Sequence, residues 1–88
     1  MNGRLSQTSH TAVTHWARAR YHTDEIVISD IEPDDEPEQY LVVLAARPLA
    51  YWLAVEVWLS GGQVETINDL GEGLPLVEQP WPWPEDSQ

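Results

Sequence analysis

The chain has 88 residues, a formal net charge of −11, five tryptophans, and neither cysteine nor lysine. A chain of this length makes one domain that buries roughly 60–65% of the surface its unfolded form exposes, and without cysteine it has neither disulfides nor thiolate metal sites to add stability. Residues 1–23 carry Arg4, Arg18 and Arg20 and no acid, whereas all 15 acidic residues follow against Arg47 alone, a balance that argues against direct nucleic-acid partners and anionic membrane surfaces.

The segment from Ser6 to His22 reads as a helix. Ser6 or Ser9 is suited to accept a free first-turn N–H as N-cap. Ala12, Val13, Trp16, Ala17 and Tyr21 recur at three- and four-residue spacing and make one apolar stripe. Arg18, Arg20 and His22 fall in the last turn, where cations suit the helix dipole. Glu25 to Ile31 is β-branched and reads as a strand. Glu32 to Gln39 holds two prolines and five acids, so an exposed, mobile acidic loop is expected there. Tyr40 to Arg47 is an almost continuous apolar run, as expected of a central strand, and Pro48 ends it.

From Tyr51 to Ser60 the odd positions Tyr51, Leu53, Val55, Val57 and Leu59 are all apolar, and the even positions are Trp52, Ala54, Glu56, Trp58 and Ser60. Strand side chains alternate between faces, so the odd set defines a core face and the even set a mixed one. Gly61-Gly62 is suited to a two-residue hairpin turn with positive φ angles. In the simplest register Leu59 then lies opposite Val64, Trp58 opposite Glu65 and Val57 opposite Thr66, with the return strand spanning Gln63 to Ile67. Regular structure is expected to stop at Asn68, because Gly71, Gly73, Pro75, Pro80, Pro82 and Pro84 interrupt the rest of the chain. The end of the chain, with Trp-Pro-Trp-Pro at 81–84, is expected to be extended.

This order places the chain in the α+β class: an N-terminal helix packed on a four-stranded antiparallel sheet, with an extended Pro/Trp-rich C-terminal tail. Residues 1–77 form the domain, and residues 78–88 form the tail, expected to dock on the sheet. No apolar run approaches the roughly 20 residues a membrane helix needs. The N-terminus lacks the charged-then-apolar order of a signal peptide, so a cytoplasmic location is expected.

Several motifs dissolve on inspection. Leu59-Ser60-Gly61-Gly62-Gln63 spells the LSGGQ signature of ABC-type ATPases, but a chain without lysine has no Walker A lysine, and these residues sit on a hairpin turn. His10, His15 and His22 are spaced five and seven apart, whereas a helical metal pair wants three or four. The acids of 32–38 lack the turn glycine of a calcium loop, and Asn68 to Glu72 is only a fragment of one. There is no cysteine nucleophile and no G-x-S-x-G, so the chain reads as noncatalytic and nothing in it calls for a cofactor. Glu56, mid-strand between Trp52 and Trp58 on one face, has two readings: an acid whose pKa the indole rings raise, or, the commoner case, a carboxylate on a solvated sheet face beside cross-strand partners.

Two features remain as partner-binding candidates. One is the aromatic set Trp52, Trp58, Trp81 and Trp83, since tryptophan is enriched at binding hot spots; folding of the tail back over Trp52, Ala54 and Trp58 competes for the same rings. The other is Asp34, Asp35 and Glu36 of the acidic loop, suited to a basic surface. The expected function is a small acidic protein-binding module, in one form an inhibitor occupying a basic surface of its target. The alternative is a structural or regulatory accessory subunit that assembles with another protein or with a second copy through the tryptophan face. Solubility and adaptation to high salt are further readings of the acidity.

Overall fold

The computed structural model describes residues 6–75 and 77–83. Helix α1 spans Gln7–Tyr21, and strands β1 (Ile26–Pro33), β2 (Gln39–Ala46), β3 (Leu53–Ser60) and β4 (Gln63–Glu72) follow it. The strands form one antiparallel sheet in the order β1-β2-β3-β4. The fold is the expected one, a single helix on a four-stranded antiparallel sheet.

Ser6 is the N-cap of α1: its hydroxyl accepts the Ser9 N–H at 3.1 Å. Ser9 is instead buried and donates to the Gly62 carbonyl at 3.5 Å, which ties the helix start to the hairpin tip. The helix ends at His22 in the left-handed region (φ 56), whose backbone N–H returns to the Arg18 carbonyl. Val13 and Ala17 are fully buried, and Trp16 and Tyr21 pack beside them edge to face at 6.4 Å. They meet Val42, Leu44, Leu53, Val55 and Val57 of the central strands. The apolar stripe of the helix and the odd-numbered face of β3 are therefore the two halves of the main core.

Gly61 and Gly62 close the β3–β4 hairpin with φ angles of 62° and 84°, a conformation that costs a residue with a Cβ about 1–2 kcal/mol. Ser60 pairs with Gln63 and Leu59 with Val64, as expected, but the register then shifts. Glu65 is an extra residue on β4, so Trp58 faces Thr66 rather than Glu65, and Val57 faces Ile67 rather than Thr66. The straight register would put Ile67 beside Glu56 on the outer face. The bulge turns it inward onto the core, and burial of that side chain favours the bulged ladder.

Nor does the strand stop at Ile67. β4 continues to Glu72 through a second bulge, where Leu70 is extra and Gly71 takes a φ of 91°. Gly71 and the polar residues around it are accommodated because β4 is an edge strand. The Gly73 N–H then donates to the Trp52 carbonyl at 2.9 Å. A Cβ on Gly73 would come within 2.6 Å of the Ala54 Cβ, so only glycine permits this close approach. β1 is also longer than the sequence suggests: Glu32 and Pro33 belong to it, paired with Leu41 and Tyr40. Pro33 is tolerated because it lies at the end of an edge strand.

Candidate functional site

The helix covers one face of the sheet and leaves the other to be organised by the even-numbered residues of β3 and their neighbours. Register places Val43 and Ala45 of β2 on this outer face, with Trp52 and Ala54. Trp52 is 8% exposed because Trp81 and Trp83 of the tail pack on it. Trp52 and Trp81 meet edge to face at 5.3 Å, and Trp81 and Trp83 at 5.6 Å. The Arg47 guanidinium lies over the Trp83 ring at 5.9 Å and pairs with Glu25 at 3.1 Å. This end of the outer face is a second small core, covered by Trp81 and Trp83; residues 84–88 of the expected tail, with Pro84, lie outside the described residues.

Trp58 stands apart from it. The sequence groups four tryptophans, but the structure brings together Trp52, Trp81 and Trp83 and leaves Trp58 at the other end of β3, half-buried. Its indole N–H donates to Glu56 Oε1 at 3.1 Å, which orients the ring along the strand. Asn68 Nδ2 donates to the same oxygen at 3.2 Å, and Gln39 Nε2 donates to Oε2. These bonds, the Trp58 indole first and then the Asn68 amide, hold the Glu56 carboxyl below the usual carboxylate range against a smaller opposing effect of desolvation. Of the two readings of Glu56, the carboxylate beside cross-strand partners fits and the raised pKa does not. The indole meets the carboxylate through its N–H donor rather than as an apolar wall. Glu56 is an ionised acid held by neutral donors, while the ion pairs Arg20–Asp69 and Arg47–Glu25 lie elsewhere.

The loop that carries Asp34, Asp35 and Glu36 runs beside this end of the sheet and is held at several points. The Asp34 N–H donates to the Gln39 carbonyl at 2.8 Å, and the Gln39 N–H donates to the Glu36 carbonyl at 3.1 Å. The Leu59 N–H donates to the Glu38 carbonyl at 2.8 Å, and Asp34 Oδ1 accepts the Asp35 N–H at 2.8 Å. Asp35, Glu36 and Glu38 are exposed, so the loop presents its charges from a braced backbone. Gln39 is the link: it is 6% exposed, accepts the Glu36 N–H on Oε1 and donates to Glu56 with its amide. Glu32, on β1 opposite Leu41, which itself pairs with Glu56, adds a further acid to the same half of the face.

Sequence reasoning missed Gln39 and Asn68. Gln39 closes the loop sequence and shares its parity with Leu41, Val43 and Ala45, so its outer-face position was available from alternation alone. Asn68 was not, because its place beside Glu56 depends on the Glu65 bulge.

On the helix side, the Tyr21 hydroxyl donates to Asp69 Oδ2 at 2.6 Å, and Arg20 reaches the same oxygen at 3.4 Å. Burial, reinforced by Asp69, pushes the Tyr21 phenol up to about 12. His15 and His22 lie on the open flank of α1 with Arg18 and Asp24. Among the described residues no three histidines or acids are grouped to hold a metal ion, and no helix is long and apolar enough to cross a membrane.

Comparison with known proteins gives no relative. No family model, curated protein or solved structure matches the chain. Any functional reading therefore rests on the residues of the outer face.

Proposed function

We propose that the protein is a noncatalytic binding module that seats the acidic half of its outer face on a basic surface of a protein partner, and so acts as an inhibitor where that surface is a working site. The observation that carries this reading is the Glu56 constellation. An ionised carboxylate is satisfied by three neutral donors and lies beside the half-buried Trp58 ring, next to a braced loop bearing Asp34, Asp35 and Glu36. Charge complementarity of this kind steers association and selects the sign of the partner. A tryptophan face beside carboxylates adds attraction for an arginine or lysine head group. A phosphate backbone would meet the same field as repulsion, so the partner is a protein.

The alternative, an accessory subunit assembling through the tryptophan face, draws on the exposed apolar side chains Tyr51 and Leu74 around the Trp52 end. Salt separates the two, because contacts between exposed charges weaken with ionic strength while apolar contacts hold or tighten. The test is affinity capture from the native host with the wild type, D34N/D35N/E36Q and W58A, all checked for an unchanged fold. A partner held by the wild type, released by moderate salt and lost by both variants is expected. A partner retained equally by all three proteins, or bound more tightly at high salt, would refute the basic-surface reading.

A further inference from the structure

The acidic half leaves a concave part of the outer face unexplained. Where the β2–β3 connection, the end of β4 and the tail converge there is an open groove of about 630 Å³, within the range of about 300–1,000 Å³ usual for ligand sites. Trp52 lines it together with Trp81 and Trp83, and Tyr51 and Leu74 stand at its rim. Two of the lining residues are exposed apolar side chains, Leu74 at 81% and Tyr51 at 37%. Scattered exposed apolar side chains need no explanation, but a set gathered around a concave aromatic surface marks a contact site.

The charged groups near the groove narrow what it can hold. Arg47, on the groove wall, lies over the Trp83 ring and pairs with Glu25, so its charge is shared with a carboxylate of the chain itself. Glu72, also on the groove wall, disfavours an anion further. What remains is apolar surface inside a strongly negative molecule, suited to an apolar side chain carried on a cationic chain.

Trp58 lies on β3, and Trp52 immediately precedes its first residue. Trp52 and Trp58 are six residues apart with the same parity, and at about 3.3 Å per residue they are separated by about 20 Å. We infer that the groove and the acidic half are two contacts for one partner: a basic polypeptide segment that inserts one large apolar side chain into the groove beside Tyr51 and Leu74 and lays its arginines or lysines over Glu56 and the 34–38 loop, with about 20 Å between anchor and charge. This inference rests on the proposed basic partner and adds the shape of what is recognised. Neither half alone specifies a sequence, whereas a fixed spacing between them does. Linking two modest contacts makes the second intramolecular and raises affinity only when the linker spans the sites.

The test uses synthetic peptides with a four-arginine cluster joined to a leucine through Gly/Ser spacers shorter than, equal to and longer than about six residues, the number that spans the gap when extended. The matched controls carry serine in place of the leucine. Affinity is measured by calorimetry against the full chain, Y51S/L74S and D34N/D35N/E36Q. The rim residues are exposed, so Y51S/L74S should keep its fold, which a thermal melt checks. Affinity is expected to rise about tenfold or more once the spacer reaches the spanning length, and the gain should vanish with the serine control and in Y51S/L74S. A leucine that adds nothing at any spacer length, while the arginines still bind through the acidic loop, would overturn the two-contact inference and leave the basic-partner reading standing. Arginine peptides that fail to bind at all, or that bind D34N/D35N/E36Q as tightly as the wild type, would overturn both.

Discussion

Replacing Trp81 and Trp83 together with alanine is expected to unfold the outer-face core while sparing the helix-side one. A fully buried tryptophan costs about 3–5 kcal/mol when cut to alanine. Trp81 and Trp83 are only partly buried, which halves that to about 2 kcal/mol each. They also stack on one another at 5.6 Å, so their losses overlap, and a combined cost of about 2–4 kcal/mol results. Trp52, now 8% exposed, would lose its cover, and the exposed ring should promote association. For a domain of this size each kcal/mol shifts the melting temperature by about 4–8 °C. The double variant should therefore melt well below the wild type by far-UV circular dichroism, with W58A, which leaves this cluster intact, melting closer to it. A double variant that melts with the wild type would show that the tail contributes nothing to the fold and that Trp52 is held by other means.

Replacing Gly61 and Gly62 with valine forces two β-branched residues to positive φ, and a loss of about 2–4 kcal/mol in denaturant stability is expected; an unchanged midpoint would contradict the turn geometry. Tyr21, raised to about 12 from an ordinary 10.0, contributes stability that is fully present below the unfolded value and lost as pH rises through about 12. Tyrosinate absorbance should show one late-titrating phenol that moves down in D69N. For Glu56 the sign is opposite: a carboxyl held low contributes stability present above its unfolded value and lost as pH falls through its folded one. Carboxyl ¹³C titration should place it below the ordinary glutamate value, and E56Q should flatten the acid side of the stability profile.

The helix, the two central strands and the Gly61-Gly62 turn were legible because each has a local signature: a 3.6-residue stripe, a period-two alternation and a glycine pair between them. The far half of β4 had none. Asn68 to Glu72 reads as irregular because Gly71, Gly73 and Pro75 crowd it, and the two bulges that let the strand continue fall within ten residues and break the alternation that would identify it. The same cause hid the site. Glu56 was recognisable as an acid placed mid-strand, but its donors come from β2 and from the bulged β4, and the pairing that brings Asn68 alongside could not be counted from the turn. The raised-pKa reading rested on its tryptophan neighbours alone and has the wrong direction, whereas the cross-strand reading lacked only the identity of the donors. Parity placed Trp52 and Trp58 on one face but said nothing of which the tail would cover. Backbone hydrogen bonds from Gln39 and Leu59 brace the acidic loop, and composition carries no trace of them.

The most direct test of the acidic half as the recognition surface is a titration of isotope-labelled protein with a short arginine-rich peptide, monitored by NMR through the indole N–H and Asn/Gln side-chain resonances. Trp58 donates its N–H to Glu56, and Asn68 and Gln39 complete the same set, so engagement of that carboxylate by a guanidinium must disturb all three. The Trp58 indole and the Asn68 and Gln39 amides are expected to shift in the first additions and to recover with added salt, while Trp16 in the helix-side core stays fixed. Shifts spread evenly over every acidic region with Trp58 unmoved would contradict it.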